Sequence, residues 1–302
     1  MRRRTRPRAE PGGRMAALLP RRIVWLTLAG SALLGGCAPL TMLDLLTPAE
    51  AQVAARDAAY GEHPRQRLDL YVPARHGGAR PVVVFFYGGG WRSGDKGPYR
   101  FVAETLTREG FVVAIPDYRL VPEVRFPAFV EDSAAAVAWV ANNVARYGGD
   151  PRRLFLIGHS AGAYNAAMVA LDRRYLAAHG MMGARIAGVV GIAGPYDFLP
   201  LDGRLVRAAF GAAADPDATQ PVAFARADAP PLLLINGSAD TLVSPRNAVS
   251  LAERVRAQGG RARAVIYDGK GHVDIMAGLA RVLGGGGPLL ADITAFLADP
   301  TE

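Results

Sequence analysis

Short apolar runs alternate with longer amphipathic segments along most of this 302-residue chain, and this alternation limits the folds that the chain can adopt. Apolar runs of a few residues are typical of strands buried on both faces, and the amphipathic segments between them are typical of helices. The pattern predicts an α/β fold with a mostly parallel sheet and helices on both faces. The predicted strands are Val82–Tyr87, Val112–Pro116, Leu154–Ile157, Ile186–Ile192, Leu232–Asn236 and Ala264–Tyr267. The predicted helices lie near residues 98–109, 128–147, 161–171, 245–258 and 289–298.

Two more strands are predicted before this alternation begins. Gln52–Tyr60 and Gln66–Val72 are joined by turn-forming residues 61–64, which indicates an antiparallel hairpin that opens the sheet. The sheet is therefore expected to contain eight strands. Residues 198–230, between the sixth and seventh strands, are the least regular stretch, and we expect a small lid there.

The formal net charge of +8 is distributed unevenly. Residues 1–22 contain eight arginines and one glutamate, which account for +7 and leave +1 for the rest of the chain. A nearly neutral body lacks the basic surface that a phosphate backbone requires, so nucleic acid is excluded as a partner.

The beginning of the chain has the features of an export signal. Arginines precede Ile23–Gly36, an uncharged and mostly apolar stretch that is short for a membrane span. We predict that residues 1–36 are a signal peptide, which starts at Met1 or at Met15. Cys37 is the only cysteine, so an internal disulfide is excluded.

The segment that ends Leu33-Leu34-Gly35-Gly36-Cys37 resembles a bacterial lipobox. This resemblance implies that Cys37 is lipidated and that the protein is exported to the bacterial cell envelope, anchored to the membrane by lipid. The alternatives are an incidental cysteine and a periplasmic or secreted protein. Residues 37–50 are expected to form a tether, and residues 51–302 a single catalytic domain.

The most informative motif is G-x-S-x-G, formed by Gly158, Ser160 and Gly162. It follows the predicted strand Leu154–Ile157 directly and precedes a helix-forming segment, which is the context of a nucleophile elbow. Small residues are needed on both sides of the serine because side chains there would collide with neighbouring backbone. The turn is expected to hold the Ser160 hydroxyl at the carboxyl edge of the sheet, so Ser160 is the predicted nucleophile.

A serine nucleophile needs a general base, and the base needs an acid that fixes its tautomer. His272 follows the last predicted strand, where the chain order of serine, acid and histidine requires the base. Asp240, in the loop after Leu232–Asn236, is the predicted acid, but the spacing leaves Asp268 and Asp197 open as rivals. The histidines considered less suitable are His63, His76, His159 and His179.

The tetrahedral intermediate of such a reaction also needs hydrogen-bond donors for its oxyanion. Three glycines in Tyr87-Gly88-Gly89-Gly90-Trp91 follow a predicted strand and can turn backbone N–H groups inward. We predict that Gly89, Gly90 and the Ala161 amide form the oxyanion hole, although a glycine run alone also fits a flexible turn.

Several motifs together resemble the bacterial esterases related to the hormone-sensitive-lipase and feruloyl-esterase-like (BD-FAE) branches of the α/β-hydrolases. The motifs are Tyr87-Gly88-Gly89-Gly90-Trp91, Gly94-Asp95-Lys96, Asp117-Tyr118-Arg119-Leu120, Phe126-Pro127, Glu131-Asp132, Gly158-His159-Ser160-Ala161-Gly162 and Asp240. The resemblance implies an α/β-hydrolase fold and a carboxylesterase that acts on a small-molecule ester without metal or cofactor. It also implies that Trp91 lies beside the acyl group of the substrate, where a packing role is the alternative.

The chain departs from the family pattern at two positions. Tyr87 stands where those families usually have the histidine of His-Gly-Gly, and Ala163 stands where a second glycine commonly ends the elbow. Asp95, Lys96, Asp117, Arg119 and Asp132 are predicted to be structural. The alternatives to a carboxylesterase are an amide or formamide hydrolase similar to the arylformamidases and an inactive envelope lipoprotein that only binds. The oligomeric state does not follow from the sequence.

Overall fold

A computed structural model describes residues 38–74, 77–181, 186–281 and 287–300. Its centre is one eight-stranded sheet in the order β1-β2-β4-β3-β5-β6-β7-β8. The strands are β1 Gln52–Ala59, β2 Arg67–Val72, β3 Arg80–Phe86, β4 Val112–Pro116, β5 Gly149–His159, β6 Ile186–Ile192, β7 Leu232–Gly237 and β8 Ala262–Tyr267. β1 and β2 form the predicted antiparallel hairpin, β2 pairs antiparallel with β4, and the remaining pairs are parallel. The predicted eight-stranded architecture is confirmed.

The central strands are buried on both faces. All five residues of β4 are buried, as are the last five of β3 and all six of β7. Successive side chains of a strand point to opposite faces, so both faces of the sheet must be covered. The covering helices are α1 Ala38–Leu46, α2 Arg100–Arg108, α3 Ala128–Asn143, α4 Ala161–Leu171, α5 Arg173–Ala177, α6 Arg204–Phe210, α7 Arg246–Ala257, α8 Asp274–Ala277 and α9 Pro288–Ala298.

The expected tether after residue 37 is the main correction to the predicted organisation. Residues 38–46 form α1, and its side chains Leu40 and Leu43 are buried in the same core as the sheet. A nine-residue segment whose only polar side chains are Thr41 and Asp44 gives no clear amphipathic period, which is why the sequence did not indicate a helix. The folded body thus begins before the predicted boundary at residue 51.

The segment between β6 and β7, where a small lid was predicted, contains α6 and two short 3-10 helices, Asp217–Thr219 and Pro221–Phe224. Phe210, the last residue of α6, is fully buried and packs edge-on against Trp91. The segment is therefore packed onto the body through its aromatic side chains.

The predicted signal peptide, residues 1–36, and the predicted lipidation site Cys37 lie outside the described residues. None of the helices between residues 38 and 300 that the structure describes is both long and apolar enough to cross a membrane.

Candidate active site

Ser160 lies in a sharp turn between β5, which ends at His159, and α4, which begins at Ala161. Its φ of 54° is in a region that non-glycine residues rarely adopt, and such strain is typical of functional turns. A Cβ atom on Gly158 would lie 2.3 Å from the Gly162 carbonyl oxygen, and one on Gly162 would lie 2.1 Å from the Phe86 carbonyl oxygen. The elbow therefore requires both glycines, as the sequence predicted.

The structure brings Ser160, His272 and Asp240 together in one chain of hydrogen bonds. His272 Nε2 lies 2.8 Å from Ser160 Oγ, and His272 Nδ1 lies 2.7 Å from Asp240 Oδ2. A carboxylate only accepts, so Nδ1 carries the proton and Nε2 offers its lone pair to the serine hydroxyl. This arrangement suits proton removal from Ser160.

The Asp240 carboxylate is held in place by its own loop. Its side chain is fully buried, and Oδ1 accepts hydrogen bonds from the backbone N–H groups of Leu242 and Val243, both at 2.9 Å. These two N–H donors fix the orientation of the carboxylate. Asp240 can therefore orient His272 and stabilise a positive charge on it.

The two rival acids have other partners. Asp268 accepts a hydrogen bond from the Ser238 hydroxyl, which in turn accepts one from the Gly269 N–H, so these residues brace the loop after β8. Asp197 accepts a hydrogen bond from Ser250. Among the three candidates, Asp240 is the one whose carboxylate contacts His272.

The predicted oxyanion loop runs alongside the nucleophile. A Cβ atom on Gly88 would lie 3.0 Å from Ser160 Cβ, so a glycine is needed for this close approach. Gly89 and Gly90 have φ values of 131° and 59°, which glycine adopts without steric cost. Ala161 is the first residue of α4, and an N–H in the first turn has no acceptor within its helix. The three predicted donors thus belong to the two segments that flank Ser160.

Tyr87 takes part in a hydrogen-bond network behind the oxyanion loop. Its hydroxyl donates to Asp117 Oδ1 and accepts from Arg65 Nη2, each at 2.8 Å. The Tyr87 carbonyl oxygen accepts from the Tyr118 hydroxyl, and Arg65 also donates to the Gly94 carbonyl. Burial raises the pKa of both Asp117 and Tyr87. Tyr87 therefore braces the loop in the place of the family's histidine.

Trp91 lies in an aromatic cluster that is shielded from solvent. It makes edge-on contacts with Phe210 and Tyr164, with ring centroids 4.8 and 5.3 Å apart, and it stacks on Phe129. Its indole N–H donates to Asn165 Oδ1 at 3.1 Å. Only 4% of Trp91 is exposed, so this geometry favours the packing role. A substrate contact stays a prediction.

His159, which was not predicted to be the base, contacts the backbone of the catalytic candidate His272. Its Nε2 lies 3.1 Å from the backbone carbonyl of His272, so this nitrogen carries the proton and donates it. Burial lowers the pKa of His159 to about 3, with a further contribution from the nearby His272, and the ring is neutral. His159 thus holds the His272 backbone. Its position inside the elbow was the only signal in the sequence.

The sheet order and the strand-elbow-helix arrangement of Ser160 define an α/β-hydrolase fold. Residues 68–255 match the BD-FAE family, and the chain belongs to this family. It is 32% identical to the isoprenylcysteine alpha-carbonyl methylesterase of Arabidopsis thaliana over 264 residues, which cover 76% of this chain and 61% of that protein. The chain therefore spans about three-fifths of the length of this curated relative.

Solved structures agree on the fold. A truncated carbohydrate esterase from gut microbiota superimposes with a TM-score of 0.72 at 23% identity, covering 84% of this chain and 99% of that one. Esterase 2 of Thermogutta terrifontis, phosphorylated by paraoxon, superimposes with a TM-score of 0.65 at 26% identity, covering 83% of this chain and 92% of that one.

Proposed function

We propose that the protein is a serine carboxylesterase that hydrolyses carboxylic esters through an acyl-enzyme on Ser160. The observation that carries this proposal is the chain of hydrogen bonds from Ser160 through His272 to Asp240, at 2.8 and 2.7 Å. A serine hydroxyl becomes an effective nucleophile when a correctly oriented base accepts its proton, and these distances suit that transfer.

In the proposed reaction, Ser160 Oγ attacks the ester carbonyl while its proton moves to His272 Nε2. The carbonyl oxygen gains negative charge, which the N–H groups of Gly89, Gly90 and Ala161 stabilise. His272 then donates its proton to the departing alcohol oxygen. Water attacks the acyl-enzyme with His272 again as the base, which releases the carboxylic acid and regenerates the Ser160 hydroxyl. Asp240 stays ionised and stabilises the imidazolium in both steps.

The relatives support an ester rather than a formamide as the substrate. The Arabidopsis relative is named a methylesterase, and the Thermogutta neighbour is an esterase whose structure carries a phosphoryl group from paraoxon. Both names concern ester hydrolysis, whereas the predicted arylformamidase alternative has no such support.

Export to the bacterial envelope, with a lipid on Cys37, is a second part of this proposal. It is supported by the sequence alone: arginines, the uncharged segment Ile23–Gly36 and the small residues before the only cysteine. The anchor would then be a lipid on Cys37.

Covalent labelling tests the nucleophile. Paraoxon should inactivate the wild-type protein and add one diethylphosphoryl group to Ser160, which peptide mass spectrometry locates. Ser160→Ala should fold normally, remain unlabelled and lose aryl acetate hydrolysis by at least about three orders of magnitude. Ser238→Ala is the matched control. Ser238 contacts Asp268, so its replacement should leave labelling and turnover intact. Labelling of Ser160→Ala would contradict the proposal, as would faster hydrolysis of N-formyl anilides than of esters by the wild type.

A further inference from the structure

Helix α1 has large apolar side chains on both its buried and its exposed side. Leu40 and Leu43 face the core, whereas Met42, Leu45 and Leu46 are 58%, 72% and 55% exposed. We call these three exposed side chains the α1 outer face. A helix on the surface of a globular protein normally turns polar residues outward, and a helix that is apolar all round is normally covered. The α1 outer face therefore indicates a partner that prefers apolar contact.

The position of α1 on the body is fixed by hydrogen bonds. Asp44 Oδ1 accepts from the Phe101 N–H at 3.0 Å, and Arg100 donates to the carbonyl oxygens of Asp44 at 2.6 Å and Thr47 at 3.1 Å. Asp44 also forms an ion pair with Arg100, so the one charged side chain of α1 is neutralised at the body. These contacts hold α1 in place while its outer face stays exposed and uncharged.

The chain that precedes α1 indicates which partner this is. Ile23–Gly36 is uncharged and mostly apolar, and Cys37 is bonded directly to Ala38, the first residue of α1. With a lipid on Cys37, no spacer would separate the anchor from a helix that is packed on the body. At 1.5 Å of rise per residue, Leu45 lies only about 11 Å along the helix from Ala38, the residue bonded to Cys37. An anchor of this kind would bring the α1 outer face to the surface of the bilayer.

We propose that the α1 outer face lies in the interfacial region of a lipid bilayer. The folded body would then contact the membrane surface directly and would not be attached through a flexible tether alone. The helix exposes Met and Leu side chains on one side, and burial of such an apolar face at the boundary of the acyl chains favours binding to a membrane surface. The lipid on Cys37 belongs to the proposed function, whereas contact between α1 and lipid is a separate claim with its own test.

This orientation would bring the catalytic edge of the sheet close to the membrane. Phe101 and Arg100, which bind α1, lie at the start of α2, shortly after the oxyanion loop at the carboxyl end of β3. Two more exposed leucines lie at this edge: Leu205 is next to Gly90, and Leu242 follows Asp240 in the sequence. The substrate class that fits this placement is an ester that partitions into lipid.

Photo-crosslinking in the full-length protein tests the contact. p-Benzoylphenylalanine is placed at position 45, and the protein is isolated with the membranes of its bacterial host and irradiated. The control carries the same group at position 53. Val53 is also exposed, but it pairs with Tyr71, which pairs with Val113 near the start of β4, so Val53 lies away from the carboxyl edge of the sheet. We expect a phospholipid adduct at position 45 and none at position 53. The proposal would be overturned if position 45 gave no lipid adduct or if both positions gave equal lipid adducts. It would also be overturned if the group at position 45 reacted with residues 1–36 or with a second copy of the chain.

Substrate delivery gives a second readout. Met42→Glu combined with Leu45→Glu should lower turnover of 4-nitrophenyl palmitate in vesicles of phosphatidylethanolamine and phosphatidylglycerol by roughly tenfold, because the charged side chains oppose insertion. Turnover of water-soluble 4-nitrophenyl acetate should not change, and Val53→Glu should change neither rate. Equal turnover of the vesicle-bound ester by the double variant and the wild type would contradict the proposal. If the wild type did not hydrolyse 4-nitrophenyl acetate at all, the esterase assignment would be contradicted instead.

Discussion

At the scale of single residues, Asp240 and Asp268 allow a direct test of the acid. Both follow a late strand, but only Asp240 contacts His272, and Asp268 contacts Ser238. Asp240→Asn keeps the shape of the side chain and removes the charge that fixes the imidazole tautomer. It should lower kcat for an aryl acetate by roughly 10²- to 10⁴-fold.

The matched variant Asp268→Asn should leave kcat within a few-fold of the wild type and lower the free energy of unfolding by about 1 kcal/mol, because it weakens one loop hydrogen bond. Steady-state kinetics and urea unfolding of the two variants provide the comparison. If Asp268→Asn were slow and Asp240→Asn fast, the assignment of the acid would be wrong.

The buried His159 should make stability depend on pH. Its pKa is about 3 in the folded protein, against an ordinary value of 6.5 for histidine. Between these values the unfolded chain binds one more proton than the folded chain, so the free energy of unfolding decreases as the pH falls from about 6.5. The contribution of one such group is at most about 1.4 kcal/mol per pH unit.

His159→Gln keeps an N–H that can donate to the His272 carbonyl but removes the titration. We expect its unfolding free energy, measured in urea between pH 4 and 6.5, to change less with pH than that of the wild type. Carboxylates titrate in both proteins, so the difference between the two curves isolates His159. Parallel curves would show that His159 does not have a depressed pKa.

At the scale of elements, the oxyanion loop depends on the network behind it. Tyr87→Phe removes one donor to the buried Asp117 carboxylate, which keeps the Lys96 N–H as a donor at 2.8 Å. The free energy of unfolding should fall by about 1–3 kcal/mol. A less firmly held loop should also lower kcat by about tenfold with little change in KM, because the oxyanion forms only during the reaction.

Tyr71→Phe provides the control, since Tyr71 is a buried tyrosine on β2 and is not one of the residues described in this network. It should leave kcat close to that of the wild type. Equal kcat values for Tyr87→Phe and the wild type would mean that the loop holds its position without the tyrosine hydroxyl.

The strands and the long helices could be predicted from the sequence. A strand buried on both faces leaves a short continuous apolar run, and a helix buried on one face leaves apolar residues at helical spacing. The predicted and observed limits of β4, β6 and α4 agree. Two elements that escaped prediction lack such a period: α1 has large apolar side chains on its exposed side as well as its buried side, and α6 is short and lies in an irregular segment. Ser160 followed from its motif and His272 from chain order. The contact of His159 with the His272 carbonyl joins the end of β5 to the loop after β8, which only the fold brings together.

At the scale of the whole molecule, the attachment to the membrane can be tested through Cys37. It is the only cysteine, so a fatty acid supplied to a bacterial host as a radioactive label has one expected attachment site. The wild-type protein should incorporate labelled palmitate, and Cys37→Ala should incorporate none. Ser160→Ala, produced in parallel, should be labelled like the wild type. Equal labelling of Cys37→Ala would reject the lipoprotein assignment.

The distance along the chain between the reacting groups affects when the protein becomes active. Ser160 and His272 are 112 residues apart in sequence, and His272 lies in the loop that follows β8, the strand paired with β7. Contacts across so many residues form slowly, because a large loop has to close first. Under the proposed mechanism, a ribosome-bound chain that ends before His272 has its nucleophile but no base. We therefore expect the growing polypeptide to be inert toward esters until the loop that carries His272 has been synthesised.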